Sequence, residues 1–443
     1  MNKNLINKFK ENLGGIIKYK SISTDKAYKQ EMKKTVEALE TLFKRNGFKT
    51  QVLKGKTTNP YVYAGLNIDK NKKTILIYGH YDEMPVGDTN KWVGDPFKLT
   101  EKNGRLYGRG VIDNKGQFLI HFTAVTELAK NNNLKYNVKF LLEGNEETGN
   151  TEIAEVIRVN RKLLSCDFVL ISDGETTANR PTIEAGFRGG SNVTLGFKTA
   201  KGDVHSGLYG GAIPNAAHEL SILISKFYDK NNKVAIPGFY EGLDKPTKSE
   251  LLNNKSLKFS SLKLKELTGI KSLKCEKGID FFTQTGLRPM LTVSGMKSGY
   301  TDEGYNNIVP CYAETKINFR FAASQDPRKI LSDFKKFVMR NKPSYVSCEI
   351  NVSSSWPALK MATKTKLVEN IKKILEEVYK EKVAFRFVGG SIPVIGFFKS
   401  ILKTQVVSIP LANEDCNMHG TNENFKLKLV EKALEFSTSF FAR

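Results

Sequence analysis

Several features are scarce or absent in this 443-residue chain. No apolar run approaches the roughly 20 residues of a membrane-spanning helix. The N-terminus, MNKNLINKFKENLGG, has no apolar core of the kind found in secretory signals. The five cysteines are an odd, scattered set without a C-x-x-C pair, which argues against a disulfide framework. We therefore expect a cytoplasmic protein in a reducing compartment that has no membrane partner.

Acidic residues are also few compared with basic ones: 46 Asp and Glu face 69 Lys and Arg, for a net charge of +23. A surplus of this kind can indicate a surface that binds nucleic acid. However, the lysines are spread through nearly every segment, and no basic block is interleaved with aromatic residues. We interpret the charge as a bias in surface composition and expect no nucleic-acid partner.

Apolar residues, by contrast, are plentiful. They make up 40% of the chain and include 27 Phe and 16 Tyr, which is ample for globular cores and excludes a largely disordered protein. A chain of 443 residues exceeds what one hydrophobic core usually supports. We therefore expect two domains.

The order of predicted elements gives a fold class. Strand and helix signals alternate up to about residue 188, which predicts an α/β domain with a mixed, mostly parallel sheet flanked by helices. The pattern then changes to an alternating strand and a Gly-rich segment. Residues 230–290 are Lys-rich without clear periodicity, and we predict that they are irregular. We predict a larger catalytic domain from two segments and an inserted α+β lid or dimerisation domain, with these bounds: residues 1–187 and 356–443, and residues 188–355.

Acids and imidazoles follow the ends of four predicted strands. In open α/β sheets, ligands bind outside the carboxyl ends of the strands. A site at that edge therefore explains the pattern better than chance does. The strands and the residues at or beyond their ends are Ile75–Tyr78 with His80 and Asp82, Val138–Glu143 with Glu146 and Glu147, Phe168–Ser172 with Asp173, and Val406–Pro410 with Asp415 and His419.

The residue types at this edge suit metal chemistry. Two histidines and three carboxylates without a thiolate can hold two divalent ions, Zn²⁺ first and Mn²⁺ or Co²⁺ as alternatives, with one carboxylate bridging. Such a pair polarises a carbonyl and lowers the pKa of a bridging water to give a hydroxide, whose proton a non-ligating carboxylate must take. Adjacent Glu146 and Glu147 allow that division of labour, although an acidic pair at a helix start is the simpler reading in isolation.

Short motifs that contain these residues lie along nearly the whole chain, in the same order as in one known family. By them, the chain resembles the zinc exopeptidases and deacylases that include carnosinase, carboxypeptidase G, aminoacylase and succinyl-diaminopimelate desuccinylase, and above all the carnosinase-like dipeptidase branch. The motifs are Gly79-His80-Tyr81-Asp82, Asp95-Pro96-Phe97, Gly108-Arg109-Gly110, Glu143-Gly144-Asn145-Glu146-Glu147, Ile171-Ser172-Asp173, His205-Ser206-Gly207, Asn318-Phe319-Arg320, Gly389-Gly390-Ser391 and His419-Gly420-Thr421-Asn422-Glu423.

The resemblance implies a role for each metal-site residue. One ion would be held by His80 and Asp173, and the other by Glu147 and His419. The bridging ligand would be Asp113, which lies just before a predicted helix over residues 115–130. The remaining two acids would serve as general base and as the group that orients the first histidine: Glu146 and Asp82, respectively.

The resemblance also implies how a substrate is held. In the smaller domain, His205 would reach the neighbouring subunit's site and stabilise the oxyanion, which implies a homodimer through that domain. A planar guanidinium suits a carboxylate, so Arg320 would clamp the substrate's terminal carboxylate. Its helpers would be Asn307 and the loop of Gly389, Gly390 and Ser391.

Together these predictions describe a metal-dependent hydrolase that cleaves an amide bond next to a free carboxylate, as a dipeptidase or carboxypeptidase does. An N-acyl amino acid deacylase of the same family is the alternative within enzymes. A metal-binding scaffold without activity is the alternative outside them, and Glu146 counts against it because a scaffold needs no base. Of the remaining histidines, His121 is predicted to be a packed core residue.

Overall fold

The computed structural model describes residues 3–178, 180–257, 260–390 and 392–443. The strands of these residues are β1 Lys49–Leu53, β2 Tyr61–Leu66, β3 Thr74–His80, β4 Thr100–Lys102, β5 Arg105–Tyr107, β6 Asn137–Glu143, β7 Phe168–Ile171, β8 Thr182–Phe187, β9 Gly189–Lys198, β10 Val204–His205, β11 Met290–Ser298, β12 Ile308–Val309, β13 Tyr312–Phe321, β14 Ser347–Trp356, β15 Leu359–Lys360, β16 Ala384–Val388, β17 Gln405–Ser408 and β18 Asn424–Lys426.

The helices of the same residues vary from one turn to more than four. None of them combines the length and the apolar character that crossing a bilayer requires. They are α1 Lys3–Ile17, α2 Lys29–Arg45, α3 Lys115–Lys130, α4 Ile153–Val159, α5 Ser206–Tyr209, α6 Ala216–Ser225, α7 Lys248–Ser256, α8 Ser261–Thr268, α9 Phe281–Leu287, α10 Pro327–Asn341, α11 Lys366–Tyr379, α12 Pro393–Phe397 and α13 Leu427–Phe441.

The chain divides into two compact units, each with its own hydrophobic core. A short C-terminal stretch, Phe387–Ser391, belongs to the second unit although the residues on both sides of it belong to the first. The first unit comprises Met1–Ala185, Met361–Arg386 and Ile392–Arg443, and the second comprises Gly186–Lys360 and Phe387–Ser391.

The first unit is built on a mixed sheet with the strand order β1-β2-β6-β3-β7-β17-β8. The four central strands, β6, β3, β7 and β17, run parallel to one another, and β2 and β8 flank them antiparallel. Helices α1, α3 and α13 pack against one another beside it. The predicted α/β fold is therefore confirmed.

Strand β3 lies in the middle of this sheet, and its side chains are apolar on both faces. Ile75, Leu76 and Ile77 are fully buried. Continuous apolar runs are typical of parallel strands covered on both sides, and burying each such side chain stabilises the fold by about 1.5–3 kcal/mol. Because β6 and β7 pair with β3 in parallel, their carboxyl ends meet at the same edge, beside His80.

The second unit is an α+β structure. Its four-stranded antiparallel sheet has the order β11-β13-β9-β14, and helices α6 and α10 pack on it. Alternation along β13 buries Ile317, Phe319 and Phe321 while the intervening side chains are more exposed. Phe334 of α10 contacts Phe319 edge to face, with 5.1 Å between the ring centroids.

The prediction that residues 230–290 lack regular structure was wrong, because this segment contains helices α7, α8 and α9. Helix α7 begins with a capping box in which Thr247 and Glu250 bond each other's backbone. Its buried residue, Asn254, donates to the Thr283 hydroxyl at 3.1 Å. Helix α7 is held against its neighbours by a polar contact rather than by an apolar stripe. The hydrophobic periodicity that reveals most helices is therefore weak here.

The prediction for His121 is confirmed: the ring is fully buried on α3 between two serine hydroxyls. Ser172 donates its proton to the Ile409 carbonyl at 2.7 Å, so it accepts a bond from His121 Nε2 at 2.8 Å. Nδ1 then accepts from Ser437 at 2.9 Å, and the ring is neutral. Burial lowers the pKa of His121 to about 3.

This buried imidazole should make the unfolding free energy fall with acidity. The folded pKa lies below the unfolded value of about 6.5, so the unfolded state binds the extra proton as the pH drops. We expect His121→Gln, which cannot titrate, to remove a slope of up to about 1.4 kcal/mol per pH unit between about pH 6 and 4. Urea unfolding in EDTA measures it. The exposed His218→Gln is the control, and an unchanged slope in His121→Gln would contradict the argument.

Candidate metal centre

The site begins at the carboxyl end of β3, where His80 is buried with 1% of its surface exposed. Its Nδ1 lies 3.0 Å from the Asp82 carbonyl oxygen and 3.4 Å from Asp82 Oδ1. Because a carbonyl oxygen only accepts, Nδ1 carries the proton in this arrangement. The lone pair of a neutral ring is then on Nε2, the atom that faces the other site residues.

Asp113 lies between two imidazoles. Its Oδ1 is 3.1 Å from His80 Nε2, and its Oδ2 is 2.9 Å from His419 Nε2. Asp173 Oδ2 lies 3.7 Å from His80 Nε2, and Glu147 Oε2 lies 3.2 Å from His419 Nε2. Two groups result, each with ligand atoms within 4.8 Å of one another, and Asp113 belongs to both.

The electrostatics of these groups favour added positive charge. Hydrogen bonds to Asp113 and Glu147 raise the pKa of His419 to about 10. At His80, burial disfavours the charged ring, but Asp113 and Asp82 outweigh it and the pKa is well above normal. Burial raises the pKa of Asp173 to about 6. The raised pKa values of the two rings show that the carboxylates around them favour positive charge, so a cation can occupy this site.

One buried atom supports the fit to a metal. Glu147 Oε1 is buried, and no hydrogen-bond donor satisfies it among the residues that the structure describes. Unsatisfied buried carboxylate oxygens are costly unless a cation completes them. The donors are imidazole nitrogens and carboxylate oxygens, the set typical of hydrolytic Zn²⁺, Mn²⁺ or Co²⁺. The residues therefore fit divalent metal ions.

Glu146 lies beside these groups but is part of neither of them within the described residues. It opens a 3₁₀ turn, Glu146–Thr148, that follows β6. The Asp82 carboxylate accepts the backbone N–H of Glu146 at 3.2 Å and that of Glu147 at 3.1 Å. Burial, with Asp173 and other acids adding to it, raises the pKa of Glu146 well above its usual value. Its position and its pKa suit a proton acceptor.

Asp82 is itself held by Ser23, whose hydroxyl donates to Asp82 Oδ2 at 2.7 Å. Nothing in the sequence singles out Ser23, because it lies 59 positions away and has no neighbouring motif. Asp415, which follows the β17 strand, is not in the site. It pairs with Arg105 at 2.7 Å and with Lys426 at 2.9 Å.

The remaining candidates are in the second unit. His205 ends β10, and the register pairs it with Ile308 of β12. The Ser206 N–H donates to the Asn307 carbonyl at 2.8 Å, so the structure brings these two candidate segments together. Both His205 and Asn307 are exposed. The Gly207 N–H donates to His205 Nδ1 at 3.1 Å, which leaves Nε2 as the protonated atom of a neutral ring.

Arg320 and the glycine loop are also in the second unit. Arg320 is half-buried on β13 opposite Gly190, and burial lowers the pKa of its guanidinium. The Gly389 carbonyl accepts from Arg188 Nε at 3.1 Å, and Gly390 follows it. Ser391 lies outside the described residues.

Comparison with known proteins places the chain in a family. The sequence profile of peptidase family M20/M25/M40 matches residues 76–443. This range includes the five residues of the two ligand groups as well as Asp82 and Glu146. The chain belongs to this family. The family predicted from the motifs is therefore confirmed. The prediction that the protein is a metallopeptidase that uses metal ions is confirmed with it.

Two curated relatives and one solved structure show the range of similar proteins. The chain is 28% identical to the cysteinylglycine-S-conjugate dipeptidase of Corynebacterium striatum, over 79% of this chain and 76% of the relative. It is 27% identical to human Beta-Ala-His dipeptidase, over 86% and 77%. It is 30% identical to an M20 family metallo-carboxypeptidase from Sulfolobus solfataricus, whose crystal structure superposes with a TM-score of 0.86 over 100% of this chain and 99% of the other.

Proposed function

We propose that this protein is a metal-dependent dipeptidase that cleaves an amide bond next to a free carboxylate. The observation that carries the proposal is the placement of Asp113 between His80 and His419, with Glu146 beside both ligand groups and outside them. A shared carboxylate and a separate acid are what a two-metal hydrolase needs. Relatives that are named dipeptidases support the substrate class.

Two cations would be held by the two ligand groups. His80, Asp113 and Asp173 would hold one, and Asp113, Glu147 and His419 would hold the other. We propose Zn²⁺, with Mn²⁺ or Co²⁺ as alternatives of the same coordination chemistry. When bound, such a pair polarises the scissile carbonyl and lowers the pKa of water. The Asp82 carbonyl orients His80 for this task, since it accepts a hydrogen bond from Nδ1–H and leaves the Nε2 lone pair free to bind.

Glu146 is the proton carrier of the proposal. It takes the proton of the attacking water and gives it to the leaving amine, a transfer that its place beside the ligand groups and outside them allows. The two backbone bonds that Asp82 accepts, one from Glu146 and one from Glu147, hold the base and the neighbouring ligand in one turn. Asp82 thus orients the acid pair through its carboxylate and the histidine through its backbone carbonyl.

The second unit supplies substrate contacts in this proposal. Arg320 binds the terminal carboxylate, assisted by Asn307 and by backbone N–H groups of the loop of Gly389, Gly390 and Ser391. In a homodimer formed through this unit, His205 donates from Nε2 to the developing oxyanion of the other subunit. We also propose a cytoplasmic location, which agrees with the five free cysteines.

Arg320→Ala should separate substrates by their terminus. Losing a guanidinium that binds a desolvated carboxylate costs about 2–5 kcal/mol, so kcat/KM for dipeptides should fall by roughly 30-fold to several thousand-fold. C-terminally amidated dipeptides, which lack the charge, should lose far less. Steady-state kinetics on matched free and amidated pairs measures the difference. Equal losses on both would count against the clamp.

A panel of substrates tests the function itself. The purified protein is incubated with Zn²⁺ or Mn²⁺ and with dipeptides and N-acyl amino acids, and released amine is read with ninhydrin. Turnover of dipeptides supports the proposal, and turnover of N-acyl amino acids alone indicates a deacylase. No turnover by protein that has bound its metals indicates a scaffold.

A further inference from the structure

Outside the ligand groups, the first unit contains a buried ion pair that the proposed mechanism does not use. Arg109 is 1% exposed and Glu423 is fully buried, and Arg109 Nη1 lies 2.7 Å from Glu423 Oε2. A buried ion pair is weak evidence for stability, because desolvation of the two charges can cancel their attraction. What the pair contacts is therefore more informative than its existence.

Glu423 accepts hydrogen bonds from the backbone of the segment that ends at Asp113. Its Oε2 accepts the N–H of Gly110 at 3.1 Å, and its Oε1 accepts those of Ile112 and Asp113 at 3.0 Å and 3.2 Å. A carboxylate that accepts three N–H groups fixes the path of the chain around it. Here that path leads directly to the residue that belongs to both ligand groups.

Arg109 donates hydrogen bonds to the backbone of the segment that contains His419. Its Nη2 donates to the carbonyl oxygens of His419 at 3.3 Å and Gly420 at 3.1 Å, and also to that of Pro85 at 2.9 Å. Its guanidinium carbon lies 5.3 Å from the centroid of the Trp92 ring. His419 has a positive φ of 61°, a backbone conformation that needs support from its surroundings.

We infer that Arg109 and Glu423 are positioning residues for the metal centre, which join the segments of Asp113 and His419 through one charged pair. The inference rests on the proposed two-metal function. Glu423 sets the position of the shared ligand, whereas Arg109 sets that of the histidine in the second group. Replacing Arg109 should therefore weaken one metal site more than the other.

Arg109→Lys tests the inference. Lysine keeps the charge and a bond to Glu423, but it loses the planar fork that reaches several carbonyls. The protein is stripped with EDTA and titrated with Co²⁺, which is followed by visible absorption and calorimetry. We expect one of the two Co²⁺ affinities, that of the group with His419, to fall by about 10- to 100-fold while the other changes little. Excess Co²⁺ should restore the parent's kcat, since the inference gives Arg109 a role in metal binding alone.

A second ion pair provides the matched control. In the second unit, Arg288 Nη2 lies 2.5 Å from Glu276 Oε2, and the guanidinium lies 4.8 Å from the centroid of the Tyr240 ring. Arg288→Lys therefore removes a fork of the same kind from a carboxylate and an aromatic ring. It should leave both Co²⁺ affinities unchanged, which separates a local effect on the metal centre from a general loss of stability.

The outcomes are distinct. Unchanged affinities in Arg109→Lys, or equal weakening of both, would overturn the inference. Should that variant not fold, Glu423→Asp replaces it: the shorter side chain cannot reach all its partners, so the Co²⁺ affinity should fall at both sites, and parent-like binding would overturn the inference. Failure of the proposed function appears elsewhere, as a parent protein that does not bind two Co²⁺ ions.

Discussion

Glu146→Gln is expected to keep its metal content and to lose nearly all turnover, with kcat lower by about 10²- to 10⁴-fold. Glutamine matches glutamate in size and can keep the turn that Asp82 holds through backbone N–H groups. It cannot accept a proton at neutral pH, so the attacking water and the leaving amine lose their carrier. Metal content from elemental analysis, measured beside steady-state kinetics on a dipeptide, checks both halves of the expectation.

The control for this variant is Glu155→Gln. Glu155 is an exposed acid on α4 that pairs with Arg158, so its replacement should change neither metal content nor kcat. Loss of metal in Glu146→Gln would instead place Glu146 among the ligands. Retained turnover would remove it as the base.

Asp113→Asn should remove both metal ions, because one carboxylate faces both histidines. An asparagine offers a single neutral oxygen and cannot bridge two cations. A ligand at 100 times its Kd stabilises a protein by about 2.7 kcal/mol, so two ions contribute about 5 kcal/mol. Added Zn²⁺ should raise the Tm of the parent but not the Tm of Asp113→Asn. Equilibrium dialysis and thermal unfolding measure the two effects.

Two further variants define what the result means. Asp173→Asn should lose one ion only, since Asp173 belongs to one ligand group. Asp415→Asn should keep both, because that carboxylate pairs with Arg105 and Lys426 instead. If Asp113→Asn retained two ions, the shared-ligand arrangement would be wrong.

Local pattern was enough to predict much of the secondary structure. The predicted strand over Val138–Glu143 and the predicted helix over residues 115–130 agree with the observed bounds to within about one residue. Each of these segments buries apolar side chains against a core, so the pattern of apolar residues in the sequence reveals it. The prediction failed at residues 230–290, where helix α7 is seated by a capping box and a polar contact of Asn254.

By itself, the sequence determined the chemistry available: which strands end in acids or imidazoles, and that a second acid, Glu146, stands next to Glu147. Only the tertiary structure decided how these groups meet. Asp113 lies between His80 and His419, and Arg109 joins Glu423 across 314 positions of the chain. Hydrophobic periodicity reports a residue's own environment, whereas such contacts depend on which distant segments the packed sheet brings to one edge.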